Sequence, residues 1–252
     1  MRIALVQLRS EKGEVAGNLA RIRGQVEAAV RDGVDVIAFP EMSITGYIDP
    51  ARRPEAVLGL GSPAVAEFAV MTAGHDITML AGIVEHNPAG KPFITQLVAR
   101  GGQLAGVYRK VTVVDEEAEW FTAGEGVPVF AHDGVTFGVA ICADIDNPEV
   151  FERAAGQGAR IVFECAAPGL YGEQATRDWQ AGFEWWRAEC VEKLAGYARE
   201  NGIYIAVATQ AGRTVDEDFP GGGYLFGPDG TLLAATSDWS GGVLTVDVAV
   251  EQ

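Results

Sequence analysis

Apolar and polar positions alternate along the chain between two periods, one typical of strands and one of helices. "RIALVQL" (2–8) is a nearly unbroken apolar run and reads as a buried strand. In "GNLARIRGQVEAAVRDG" (17–33), Leu19, Ile22, Val26, Ala29 and Val30 fall on one helical face, and Gly33 supplies a stop. "VDVIAFPE" (34–41) is again short, β-branched and apolar, as expected of a strand covered on both faces. The same alternation predicts a helix over 62–76 and a strand over 77–86. Strands at 93–100 and 103–110 and a meander over 127–142 follow, the last with Asp133-Gly134 as its hairpin turn. A helix over 148–158, a strand over 159–168 and a long helix over 176–201 ending at Asn201-Gly202 come next. "IYIAVATQ", "GGYLFG", "TLLAAT" and "VLTVDV" close the chain as strands, with Asp229-Gly230 turning one pair. Helices and strands interleave without a linker-like break, so residues 1–252 read as one layered α/β domain. Strand order and the number of sheets do not follow from the pattern.

Composition narrows the function. A chain of 252 residues with 48% hydrophobic and 21% charged residues is ordinary globular sequence, long enough for a substantial core. Its net charge of −16 argues against sequence-independent nucleic-acid binding, which needs a basic surface, and against docking on anionic membranes. The N-terminus is too short in apolar residues for a signal-peptide core, and no run approaches a membrane span, so a cytoplasmic protein is expected. Cys142, Cys165 and Cys190 form an odd, sparse set without CxxC spacing, which predicts reduced thiols. The three histidines, at 75, 86 and 132, are scattered and none pairs at metal-site spacing, so no metal centre is expected. "GLGSP" (59–63) and "AGEGVP" (123–128) lack phosphate-loop patterns and read as turns.

Three residues share one local context. Glu41 follows "VIAFP", Lys110 follows "LAGVYR" and Cys142 follows "FGVAI". Each sits just past an apolar strand, and carboxyl ends of strands are where ligand sites form in α/β sheets. Singly, each has a bland reading: the cysteine as inert core, the glutamate and lysine as solvated surface.

Taken together, "FPEMSITGY" (39–47), "YRKVTVVDEEAEWFTAG" (108–124) and "GVAICADIDNPE" (138–149) resemble the signature segments of the nitrilase, or carbon–nitrogen hydrolase, superfamily. The similarity continues into "ARENGIYIAVATQAG" (198–212) and "GGYLFGPDGTLLA" (222–234). It implies an α-β-β-α sandwich, two β-sheets face to face with helices outside. It further implies Cys142 as nucleophile, Glu41 as general base and Lys110 as oxyanion stabiliser, with no cofactor. Counting back seven from Gly124 places a second family glutamate at Glu117, rather than Glu116 or Glu119. The resemblance also makes the Ala143 backbone amide an oxyanion donor. Trp120 (with Phe121), Cys165 and Ala166 become candidate pocket residues, core packing being the equal alternative for Cys165. Asp144 is expected to shape the turn. Thr112, Ala143 and Asn147 stand where the family often has histidine and aromatic residues, which leaves the branch open.

The implied activity is amidase action on small linear amides through a thioester, with release of ammonia. Nitrilase, N-carbamoyl amidohydrolase and acyl-transfer chemistry are the alternatives. A non-catalytic binding protein on the same fold is the competing class. Family members assemble as homodimers or larger sets, and Trp179, Phe183, Trp185 and Trp186 are read as interface and core.

Overall fold

In the computed structural model, residues 1–114 and 117–250 are described. Two six-stranded mixed sheets carry the fold. The first joins β1 (Arg2–Gln7), β2 (Val36–Ala38), β3 (Thr78–Glu85), β4 (Phe93–Arg100) and β5 (Gln103–Arg109). The second joins β6 (Phe130–His132), β7 (Val135–Ile141), β8 (Ile161–Ala166), β9 (Tyr204–Thr209), β12 (Gly223–Phe226) and β13 (Leu232–Ala235). Between β9 and β12 lies a separate hairpin, β10 (Ala211–Arg213) and β11 (Asp218–Pro220). The last strand, β14 (Gly242–Asp247), returns to the first sheet, which runs β14-β1-β2-β3-β4-β5; the second runs β13-β12-β9-β8-β7-β6. The helices are α1 (Val15–Arg31), α2 (Pro63–Val70), α3 (Glu117–Trp120), α4 (Pro148–Gly156) and α5 (Trp179–Asn201).

The apolar runs partition into two cores. Leu5, Val36, Leu80 and Val98 of the first sheet share one buried cluster with Phe137, Phe163, Ile205 and Tyr224 of the second, so the sheets pack face to face. Ala4, Ile37, Met79 and Leu97, the opposite face of the first sheet, meet Leu19, Ile22 and Val26 of α1 and Phe68 of α2. Phe151 of α4 and Phe183, Trp186 and Leu194 of α5 join the core on the second-sheet side. This is the expected α-β-β-α sandwich.

Several elements are shorter than their apolar runs. The strand expected over 34–41 stops at Ala38, because Pro40 has no N–H to give to a ladder. The chain nevertheless continues along β3. Gly82 N–H donates to Ser43 Oγ (3.0 Å), Val84 N–H to Thr45 Oγ1 (3.2 Å), and Ile44 N–H to Gly82 O (2.9 Å). Hydroxyls thus replace part of a strand ladder. The helix expected over 62–76 ends at Val70; the Thr72 hydroxyl bonds back to Ala69 O, and Gly74 takes a left-handed conformation. The β10–β11 hairpin, absent from the pattern, is held by Asp218, whose carboxylate takes Arg177 Nε and Arg213 Nε at 2.9 Å each.

Gly82 is the tightest point beneath the Glu41 turn. A Cβ there would lie 2.1 Å from Met42 N and 2.9 Å from Glu41 C. Backbone cannot yield as a side-chain tip can, so Gly82→Ala is expected to cost about 3 kcal/mol or more in urea unfolding. An unchanged midpoint would show that the turn has freedom the packing denies it.

Candidate active site

The turn after β2 crosses over β3 and β4, anchored by Gln96 Nε2 donating to Phe39 O (2.9 Å). It delivers Glu41, which is fully buried. Lys110 leaves the end of β5, separated from β2 by β3 and β4 in the sheet, and its side chain is also fully buried. Its ammonium donates to Glu41 Oε1 at 3.0 Å and to Glu117 Oε1 and Oε2 at 2.9 and 2.8 Å. Gly124 seats against this strand end, donating its N–H to Lys110 O (2.8 Å), and a Cβ there would meet Arg109 O at 2.4 Å. Glu116, set aside in favour of Glu117, lies outside the described residues.

Cys142 comes from the other sheet, at the end of β7, and is half-buried. Its φ of +46° is left-handed, unusual for a residue with a side chain. Such strain persists only where neighbours over-determine it. Asp144 is the fixing group: its buried carboxylate accepts from Ile141 N–H (2.9 Å), Tyr108 O–H (2.6 Å) and Thr112 N–H (2.9 Å). Tyr108 and Thr112 flank Lys110, so one carboxylate ties the cysteine turn to the lysine strand. Ala143 occupies the first turn of the 3₁₀ helix Cys142–Asp146, where backbone N–H groups have no intrahelical acceptor. Asn147, which also starts α4, donates to Thr112 Oγ1 (3.1 Å), so two of the positions that differ from the family's usual residues bond to each other.

The charges shift one another. Burial, aided by the Glu117 charge, raises the Glu41 carboxyl to about 7, while Lys110 and the Cys142 thiol pull it back. Burial alone lowers the Lys110 ammonium, but Glu41, Cys142 and Glu117 outweigh it and the net shift is upward, so Lys110 stays charged. Burial and the Glu41 and Glu117 charges push the Cys142 thiol up, against the opposing pull of Lys110. The resting cysteine is therefore a neutral thiol beside a carboxyl that titrates near neutrality. Glu41 Oε2 is buried and has no hydrogen-bond partner among the described residues.

A cavity of about 460 Å³ opens next to Glu117, walled by Tyr47, Trp120, Leu170, Tyr171 and the 215–217 turn. Trp120 thus stands on the cavity wall; Phe121 beside it is buried. Cys165 and Ala166 are fully buried at the end of β8 and do not line that cavity. Phe183 and Trp186 are core residues, Trp186 Nε1 donating to Thr209 Oγ1 (2.9 Å), whereas Trp185 is 40% exposed. Tyr47 is the site residue that motif reasoning passed over: its hydroxyl bonds Glu117 Oε1. It closes the same "FPEMSITGY" segment that carries Glu41, and that position was its signal.

The two-sheet sandwich has relatives among known proteins. The carbon-nitrogen hydrolase family matches residues 2–252, and the chain belongs to that family. A mutant of the amidase from Nesterenkonia sp. AN1, carrying acrylamide as a Michael adduct at its active-site cysteine, is structurally similar. Its TM-score is 0.82 at 26% identity, over 98% of this chain and 93% of that one. N-carbamoylputrescine amidase of Solanum tuberosum is 26% identical over 95% of this chain and 83% of its own length. The glutamine-dependent NAD(+) synthetase of Acinetobacter baylyi is 26% identical over 92% of this chain, which spans only 41% of that relative. Among the described residues no helix is long and apolar enough to cross a membrane.

Proposed function

We propose that this carbon–nitrogen hydrolase is an amidase that cleaves small linear amides through a thioester on Cys142. The observation that carries the reading is the buried Glu41–Lys110–Glu117 contact beside the half-buried Cys142, with one Glu41 oxygen left unpaired. The thiol proton passes to Glu41 as Sγ attacks the carbonyl carbon. The carbonyl π electrons move onto oxygen, held by Lys110 Nζ and the Ala143 N–H. Glu41 then returns the proton to the leaving nitrogen, the C–N bond breaks and ammonia departs, leaving the thioester. Water, deprotonated by Glu41, attacks that thioester; carboxylic acid leaves and the sulfur recovers its proton. Glu117 holds Lys110 in place and, by its charge, keeps Glu41 basic near neutrality. No step calls on a cofactor or metal. The similarity to the Nesterenkonia amidase favours amides over nitriles; the similarity to the potato enzyme keeps N-carbamoyl amines as the second reading.

Ammonia release from a panel of primary amides, nitriles and N-carbamoyl compounds tests this. Turnover of amides is expected; a folded protein inert towards the whole panel would overturn it. The pH profile has a defined sign. Glu41 must be unprotonated to act as base, so kcat/KM is expected to rise with pH, half-maximal near 7, and to stay level above that while the thiol remains protonated. A profile flat from pH 5 to 8 would remove Glu41 from that role.

The net charge disfavours nucleic acid and anionic membranes as partners, and we retain a cytoplasmic, homo-oligomeric, single-domain protein as part of the proposal.

A further inference from the structure

The end of the sandwich opposite Glu41 and Cys142 holds a second cluster of ionisable groups. Asp35 precedes β2, Asp76 precedes β3, His132 ends β6 and Asp133 begins the turn into β7. The catalytic candidates follow the carboxyl ends of β2, β5 and β7, so the two groups lie at opposite ends of the strands. At ~3.3 Å per residue, β7 and its flanks separate them by on the order of 20–30 Å. No local pattern marks this cluster, because its members are dispersed from position 35 to position 133.

His132 is the unusual member. Its side chain is 2% exposed, and its Nδ1 is paired with Thr78 Oγ1 (2.9 Å) across the two sheets. Nε2 has no hydrogen-bond partner among the described residues. It faces Asp35 Oδ1 at 3.8 Å and Asp133 Oδ2 at 4.0 Å, too far for hydrogen bonds. One donor atom from each of Asp76, His132 and Asp133 falls within 4.8 Å of the others. The other carboxylate oxygens are held by fixed donors: Arg2 N–H on Asp35 Oδ2 (2.6 Å), and Arg100 Nη2 on Oδ1 of both Asp76 (2.8 Å) and Asp133. Oriented carboxylates and a histidine whose second nitrogen is already bonded are what an outer shell supplies around a metal. Three carboxylates against one guanidinium leave a net charge of −2, which a divalent cation neutralises.

We propose that Asp76, His132 and Asp133, with Asp35 at the rim, form a site for a divalent d-block cation such as Zn²⁺, clipping the two sheets together away from the active site. One imidazole with carboxylate oxygens suits zinc rather than magnesium or calcium. Tetrahedral bonds of ~2.0–2.1 Å put ligand atoms roughly 3.3 Å apart, so donor atoms that already lie within 4.8 Å of one another close on a cation with side-chain movements on the order of 1 Å. A surface cavity of about 350 Å³ lined by Asp35, His75 and Asp76 reaches the Asp76 side of the cluster.

The test is calorimetric titration of ZnCl₂ into the full-length Cys142→Ala protein, since the Cys142 thiol would itself bind zinc. One Zn²⁺ per chain is expected, with a rise in melting temperature that EDTA reverses. Adding His132→Asn is expected to weaken binding roughly tenfold or more. Adding Asp133→Asn serves if the histidine variant does not fold: Asp133 is exposed and left-handed, a conformation asparagine accepts, and its loss is also expected to weaken binding. No binding at millimolar Zn²⁺, or binding that both folded variants leave unchanged, overturns the site. If only Asp133→Asn folds, unchanged binding in that variant alone does so.

Discussion

Cys142→Ala is expected to lose ammonia release by at least about 10⁴-fold while remaining folded. The loss is large because no other thiol among the described residues is accessible to form the covalent intermediate: Cys165 and Cys190 are both fully buried, Cys190 on the core-facing side of α5. Removing one sulfur from a half-buried position costs little, about 1–2 kcal/mol at most. Alanine at this position meets the same left-handed backbone as cysteine, and Asp144 still ties the turn to Ile141 and Thr112. Activity assayed alongside urea unfolding separates the two effects. Residual turnover above a hundredth of the wild-type rate would mean that the bond is broken without this thiol.

Lys110→Met is expected to lose both stability and turnover. The ammonium is wholly buried between Glu41 and Glu117, and methionine fills its volume without its charge. Breaking a buried ion pair by removing one partner typically costs about 3–5 kcal/mol, because the other charge is stranded. Here two carboxylates are stranded, and they relieve the cost by taking up protons. The destabilisation should therefore be larger at pH 8, where both must be ionised or bind protons at a cost, than at pH 5, where protons are plentiful. Urea unfolding at both pH values reads this directly. Equal and small losses at the two pH values would show that the carboxylates are better solvated than their burial indicates. Turnover falls as well, since losing one oxyanion donor costs roughly 10²–10³ in rate.

The hydrophobic pattern carried most of the strands and helices because each buries a face that its own sequence spells out. β3, β4 and β9 lie within a residue or two of their apolar runs, and Asp133-Gly134 and Gly202 adopt the left-handed conformations that mark a hairpin and a helix end. What the pattern omitted is long-range. Pairing of β1 with β14 joins Arg2 to Asp247, nearly the full chain apart, and no local signal encodes it. The division of the strands between two sheets is of the same kind.

The site divides along the same line. Glu41, Lys110 and Cys142 each announced themselves at a strand end, and the structure brings Lys110 into contact with both Glu41 and Glu117. The supporting groups did not announce themselves. Tyr47 on Glu117, Asp144 bridging two strands and Gly82 making room for Glu41 depend on residues 30 to 70 positions apart. Cys165 and Ala166, named for the pocket from resemblance, are fully buried and do not line that cavity, since strand position alone does not say which residue reaches it. The hairpin over 211–220 was invisible because Asp218, Arg177 and Arg213 hold it by charge rather than by apolar alternation.

Limited alkylation with iodoacetamide, followed by peptide mass spectrometry and residual ammonia release, tests the central claim most directly. Cys142 is half-buried beside a carboxyl that titrates near neutrality, whereas Cys165 and Cys190 are sealed in the core. Activity is expected to fall in proportion to alkylation of the Cys142 peptide, with the other two cysteines unmodified. Full alkylation of Cys142 with undiminished turnover would contradict its assignment as the nucleophile.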